Sequence, residues 1–196
     1  MSEEKIYWYV LRVMNGKEER VVEALKGKLD ERSFRPFIPM KTQIMRRKGV
    51  ISLFRKKCFP CYVFVESDIP EEEFARDVFP IAYRLKDTQK FLSYDVVDSD
   101  NDGEDETEQN KETFNSIALH ENDRLALSKV LGDSHCIDVS KGYKDGDKIR
   151  IISGPLFGLE DKIVKVNRKD KEAVIEVEML GSTMAMSVAL EFVDKA

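Results

Sequence analysis

Apolar positions along the first ninety residues switch between two periods. Residues 6–13 (IYWYVLRV) form an aromatic and β-branched run that predicts a buried strand. Val21, Val22, Leu25 and Leu29 follow at helical spacing and predict an amphipathic helix over 17–31. Asn15, with Glu18 three residues on, has the spacing of a capping box. Further strands are predicted over 37–44 and 61–65, joined by a basic hairpin. Pro70 before Glu71, Glu72 and Glu73 reads as a helix start with anions at the positive end of the dipole, and Phe74 and Val78 face inward. Residues 119–131 (LHENDRLALSKVL) return to helical spacing. This order predicts an α/β sandwich on an antiparallel sheet.

From 137 onward the texture changes. Short alternating segments (DKIRIIS, DKIVKVNR, AVIEVEML, TMAMSVALEFV) are split by turn signals (KDGD, SGPLFG, NRKDK). That pattern predicts a small five-stranded barrel or sandwich. The fold class is therefore α+β, with a first unit over 1–132, a linker at 133–142 and a β-barrel over 143–196.

Charge sharpens this division. The chain carries a net charge of −5, yet residues 1–92 sum to +5, residues 93–136 to −9 and the remainder to −1. Nine acidic residues and one lysine fall between Asp95 and Thr113. Such a stretch buries too little apolar surface to offset its ordering entropy, so an unstructured insertion is expected over about 94–115. Asp98, Asp100, Asp102 and Gly103 match the opening of a calcium loop, but Gln109 stands where the bidentate Glu belongs; a flexible acidic loop is the favoured reading. No apolar run is long enough to span a membrane. Without a signal peptide and with three cysteines, the expected location is the reducing cytoplasm.

Two clusters carry candidate chemistry. Cys58 and Cys61 form a C-x-x-C, and His135 and Cys136 would complete four zinc ligands. Adjacent His135 and Cys136 reach one metal poorly, and Cys61 runs into a strand rather than a helix N-terminus, where a redox thiolate is stabilised. Two unpaired cysteines, no metal and no cofactor are expected. With two histidines and no phosphate loop, no catalytic set emerges, and an enzyme is not expected. Between Ser33 and Val65 stand eight basic residues and no acidic one. This is either a solvated hairpin or a surface that meets phosphate.

The opening WYVL, the helix after it and the basic hairpin leading to FPCYVFV resemble the N-terminal (NGN) domain of NusG-type transcription elongation factors. The segment GDKIRIISGPLFGLEDKIVKVN is similar to their KOW motif, an SH3-like barrel, and the barrel as a whole looks closest to the LoaP-type antitermination paralogues. Two positions depart from the pattern: Cys61 stands where the family usually has Gly, and Asp161 where many KOW motifs have Gly.

The resemblance implies a monomeric, non-enzymatic regulator that docks on the clamp helices of the RNA polymerase β′ subunit through Trp8, Tyr9, Phe59, Pro60 and Tyr62. It places Arg46, Arg47, Lys48, Arg55, Lys56 and Lys57 near upstream or non-template DNA. It also implies a barrel that binds a nascent RNA hairpin through Lys141, Lys144, Lys148, Arg150, Lys162, Lys165, Arg168, Lys169 and Lys171, for processive antitermination of specific operons. Asp170 and Glu172 lower the positive charge of that surface. The alternatives are a general NusG factor coupling polymerase to Rho or the ribosome, with Leu156 and Phe157 as apolar contacts, and a ribosome-associated KOW protein. If the Phe-Pro-x-Tyr turn needs φ > 0 at its third position, Cys61 is strained.

Overall fold

A computed structural model describes residues 5–94, 116–146 and 148–193. The expected acidic insertion, with its likeness to a calcium loop, falls on 95–115 and lies outside the described residues. The described residues on either side meet: the Tyr94 N–H donates to the Ser116 carbonyl at 2.9 Å.

The first half is built around β1 (Tyr7–Val13) and β5 (Tyr62–Ser67), the two inner strands of an antiparallel sheet. β2 (Phe34–Phe37) and β6 (Thr88–Phe91) flank them, giving the order β2-β5-β1-β6. Both inner strands are apolar at nearly every position because both faces of the sheet are covered. Tyr9, Leu11, Val13, Val63 and Val65 point to one face, where α1 (Glu18–Lys26) and α2 (Glu71–Ala82) contribute Val21, Leu25, Phe74 and Val78. Trp8, Val10 and Phe64 point to the other, against Leu127, Val130 and Leu131 of α3 (Glu121–Leu131). Each such side chain withdrawn from water stabilises the fold by roughly 1.5–3 kcal/mol.

Helix α1 starts at Glu18 rather than over an Asn15 cap. Lys17 occupies the N-cap position and its side chain makes no capping hydrogen bond. Glu18 does not reach back along its own helix, because its carboxylate is taken by the corner between β4 (Val50–Lys57) and β5. It is 1% exposed, accepts the Cys61 N–H and the Lys57 ammonium, each at 2.8 Å, and so ties α1 to that corner.

The second half is a curled five-stranded sheet in the order β10-β11-β12-β8-β9. It comprises β8 (Ser140–Asp145), β9 (Lys148–Ser153), β10 (Ile163–Asn167), β11 (Glu172–Met179) and β12 (Ser182–Phe192). β12 is eleven residues long. It pairs antiparallel with β11 at its start and parallel with β8 at its end, which curls the sheet on itself. Ala173, Ile175, Val177 and Met179 alternate inward, as a period-two pattern requires. Gly154 lets the turn after β9 approach β8. Its φ is +95°, and a Cβ there would lie 2.6 Å from the Ser140 Cα. The Ser140 hydroxyl accepts the Leu156 N–H at 3.0 Å and fixes the same turn.

The two halves touch. β7 (Cys136–Ile137) falls within the expected linker and pairs parallel with β3 (Met40–Arg47), two residues before β8 begins. The buried Lys41 ammonium donates to the Ser187 carbonyl at 2.7 Å, and the Gln43 amide donates to Glu172 at 2.7 Å. One apolar cluster runs from Trp8 and Phe64 through Leu127 to Val177 and Val188 of the barrel.

Candidate functional site: basic surfaces of hairpin and barrel

β3 and β4 (Val50–Lys57) form a hairpin whose turn residues, Lys48 and Gly49, both have left-handed φ. The register sorts its basic residues by face. Gln43 lies opposite Phe54 and Lys41 opposite Lys56, so these share one face; Thr42 opposite Arg55 and Ile44 opposite Leu53 share the other. Lys57 is partly withdrawn from solvent, its side chain 22% exposed, and bridges to Glu18 and Glu19 at 2.8 Å each. Burial works to raise the Glu18 carboxyl, but Lys57 and the Cys61 N–H outweigh it and hold the group below the usual carboxylate range. Of the six basic positions expected to meet nucleic acid, Lys57 is therefore structural. Arg46, Arg47, Lys48, Arg55 and Lys56 remain exposed. Around them the hairpin also exposes Met45, Val50, Ile51 and Leu53, aliphatic side chains that a solvated hairpin has no reason to carry.

The barrel carries two basic grooves. The first runs along the open seam between β9 and β10, where Lys144, Lys148, Arg150, Lys165 and Arg168 surround Ile149, Ile163 and Val164. Glu160 and Asp161 are its acidic members, so Asp161 lies at the groove itself. The second is a cleft of about 780 Å³ between hairpin and barrel. On its hairpin wall are Gln43, Met45, Arg46, Ile51, Phe54 and Lys56; on its barrel wall are Arg168, Lys169, Asp170, Lys171 and Glu172. Arg168 lines both grooves. It lies over the Phe192 ring at 4.8 Å, and Lys56 lies over Phe54 at 5.3 Å. Lys171 pairs with Glu191 at 3.0 Å. Lys141 and Lys162 are exposed but line neither groove.

The expected docking aromatics are mostly core. Trp8 is 2% exposed, Tyr9 0% and Phe59 3%. Tyr9 faces the helices, stacked on Phe74 with centroids 3.5 Å apart. Trp8 packs edge-on against Phe37 and Phe64, and Phe59 stacks on Phe64. A contact role for these three is corrected to a supporting one, because β1 is buried on both faces and Phe59, just before β5, is packed into the core on Phe64. Pro60 is exposed and Tyr62 half-buried, so these two carry what surface the turn presents. In the apolar turn of the barrel Leu156 is fully buried, and Phe157 beside it is 62% exposed.

Cys61 has φ +71°, so the strain expected of a side chain at the family's glycine position is present. Burial pushes the Cys58 thiol up to about 12, the reverse of what a reactive thiolate needs. His135 turns away from the cysteines, stacking on Phe37 with centroids 3.7 Å apart. Among the described residues, no three His, Cys, Asp or Glu side chains converge as metal ligands.

Glu66 is a hub that the sequence did not reveal. Its carboxylate accepts Trp8 Nε1–H at 3.0 Å and Arg35 Nε–H at 2.9 Å, and His135 Nε2 stands 3.8 Å away. His135, opposed by burial and joined by Trp8 and Arg35, holds the Glu66 carboxyl down to about 2. A period-two reading of 62–67, placing Tyr62, Phe64 and Glu66 on the Trp8 face, contains the signal that would have found it.

Residues 6–95 match the family model described as NusG, transcription termination factor nusG. Three relatives named transcription termination/antitermination protein NusG align over nearly the full chain. The one from Thermus thermophilus is 21% identical, covering 97% of this chain and 99% of its own. Those from Borreliella burgdorferi and Staphylococcus carnosus are 19% and 22% identical, each covering 96% of this chain. A solved structure titled "Domain interaction in Thermotoga maritima NusG" aligns over 94% of both chains, with a TM-score of 0.48 and 21% identity. No helix among the described residues is long and apolar enough to cross a membrane. A NusG domain thus stands at residues 6–95, and NusG proteins of three bacteria align with nearly the whole chain.

Proposed function

We propose that this chain is an operon-specific regulator of transcription elongation. It rides on RNA polymerase through its N-terminal half and promotes antitermination when its barrel holds a nascent RNA hairpin, as the LoaP-type paralogues do. The observation that carries the reading is the groove at the β9–β10 seam. Five cations lie there beside aliphatic side chains, gathered on one seam of a barrel half whose net charge is only −1. Phosphates supply sequence-independent affinity to such a surface, and a hairpin's shape supplies selectivity. Pro60 and Tyr62 are the docking contacts for the polymerase clamp helices, set in place by the buried Phe59 and Phe64. The basic hairpin lies toward upstream or non-template DNA in that complex.

Transcription in vitro through an intrinsic terminator, with and without the operon's leader sequence, tests this reading. Readthrough should need both the protein and the leader, and the double variant Lys165→Glu, Arg168→Glu should lose the leader-dependent readthrough while still co-purifying with polymerase. Readthrough that ignores the leader, or survives this double charge reversal, overturns it. A general coupling factor is the second reading, favoured by the exposed Phe157. Under that reading Phe157→Ala, and not the charge reversals, abolishes the activity.

A further inference from the structure

We propose that the two basic grooves form one continuous track, along which a single strand of RNA crosses from the barrel onto the N-terminal hairpin. The inference rests on the reading above and extends it: the strand flanking the hairpin RNA would be held by both halves of the protein at once.

Three observations support one track rather than two patches. Arg168 lines both grooves and so links them. The hairpin wall and the barrel wall are held in register by Lys41 on Ser187 and Gln43 on Glu172, both at 2.7 Å. The cleft holds five cations against two carboxylates, and Phe54, Met45 and Ile51 stand between the charges. Alternation of cations with apolar side chains suits a strand whose bases are unstacked and lie on those surfaces, whereas a duplex offers mainly phosphates to such a cleft. Asp170 and Glu172 then have a role that DNA would not give them: each has a carboxylate oxygen free of the hydrogen bonds to Asn167 and Gln43, and it can accept a ribose 2′-hydroxyl.

Near the base of the hairpin one face takes part: Lys56 lines the cleft, and its neighbour Arg55, on the opposite face, does not. Toward the tip Arg46 and Ile51, which share Arg55's face, also reach the cleft. Lys56 and Arg55 have equal charge and exposure class, which separates a specific track from bulk electrostatics.

The test is fluorescence anisotropy of the full chain with a labelled single-stranded RNA of about 12 nucleotides, titrated across salt. Replacing Arg46 and Lys56 by Gln should lower the slope of log K against log salt by about 1.4, which is about tenfold in affinity near physiological salt. Lys165→Gln with Arg168→Gln should have a similar effect, and Arg55→Gln little. An Arg55→Gln loss as large as that of Lys56→Gln, or no effect of the hairpin pair, overturns the shared track. Single-stranded DNA of the same sequence binding equally well overturns the assignment to RNA, and displacement by poly-glutamate at equal charge points to an acidic peptide instead. If the single strand fails to bind while leader-dependent readthrough persists, the track falls and the functional reading stands; loss of both removes both.

Discussion

Replacing Glu66 by Gln keeps the shape of a side chain at the meeting point of β1, β2 and β5 but removes its charge. In the folded protein the carboxyl is held down from its ordinary 4.5 to about 2. That difference corresponds to about 3 kcal/mol of preference for the folded anion. About a fifth of the side chain stays in water, and the 3.8 Å gap to His135 is longer than a hydrogen bond. We therefore expect about 2 kcal/mol. The sign follows from the depressed folded value: the stabilisation is present above the unfolded pKa, near 4.5, and is lost as pH falls toward about 2. Trp8, the chain's one tryptophan, donates to this carboxylate, so its emission reports both the local bond and global unfolding. Urea melts of wild type and Glu66→Gln at pH 7 should differ by about 2 kcal/mol, shrinking to less than half near pH 3. An equal difference at both pH values, with Trp8 emission unmoved by the substitution, would refute this account of the hub.

Two further substitutions test backbone geometry. Cys61→Gly should be more stable than Cys61→Ala by about 1 kcal/mol in chemical denaturation, because only Gly relieves the left-handed strain; the opposite order would remove strain from the account of this turn. Gly154→Ala forces a Cβ against the backbone of Ser140 and should cost upward of 2 kcal/mol in thermal or urea unfolding, so an unchanged midpoint would contradict the close approach of turn and β8.

The local reading of the chain was most accurate where period alone decides. Phe74 and Val78 lie on the inner face of α2 as their spacing demands. It was least accurate where a side chain had two possible partners. Glu18 has capping-box spacing, yet an ammonium and a strained N–H across the sheet hold it more strongly than its own helix N-terminus would. Trp8 and Tyr9 read equally well as anchors or as core, because aromatic composition cannot tell a strand covered on one face from one covered on both.

The sequence by itself determined the α+β class, the main strands and helices, and the separation of a basic front from a nearly neutral barrel half, which follow from local spacing and charge; it did not separate β2 from β3 or show β6, and the strain at Cys61 came from the family resemblance. Only the tertiary structure decided which cations are free and where they meet. Lys57 and Arg55 stand two residues apart in one basic run, but folding gives the first to Glu18 and Glu19 and leaves the second in solvent. Lys56 and Lys169 are more than a hundred residues apart and line one cleft. Electrostatic attraction depends on distance through space and on burial, and neither can be read along the chain until the strands have paired.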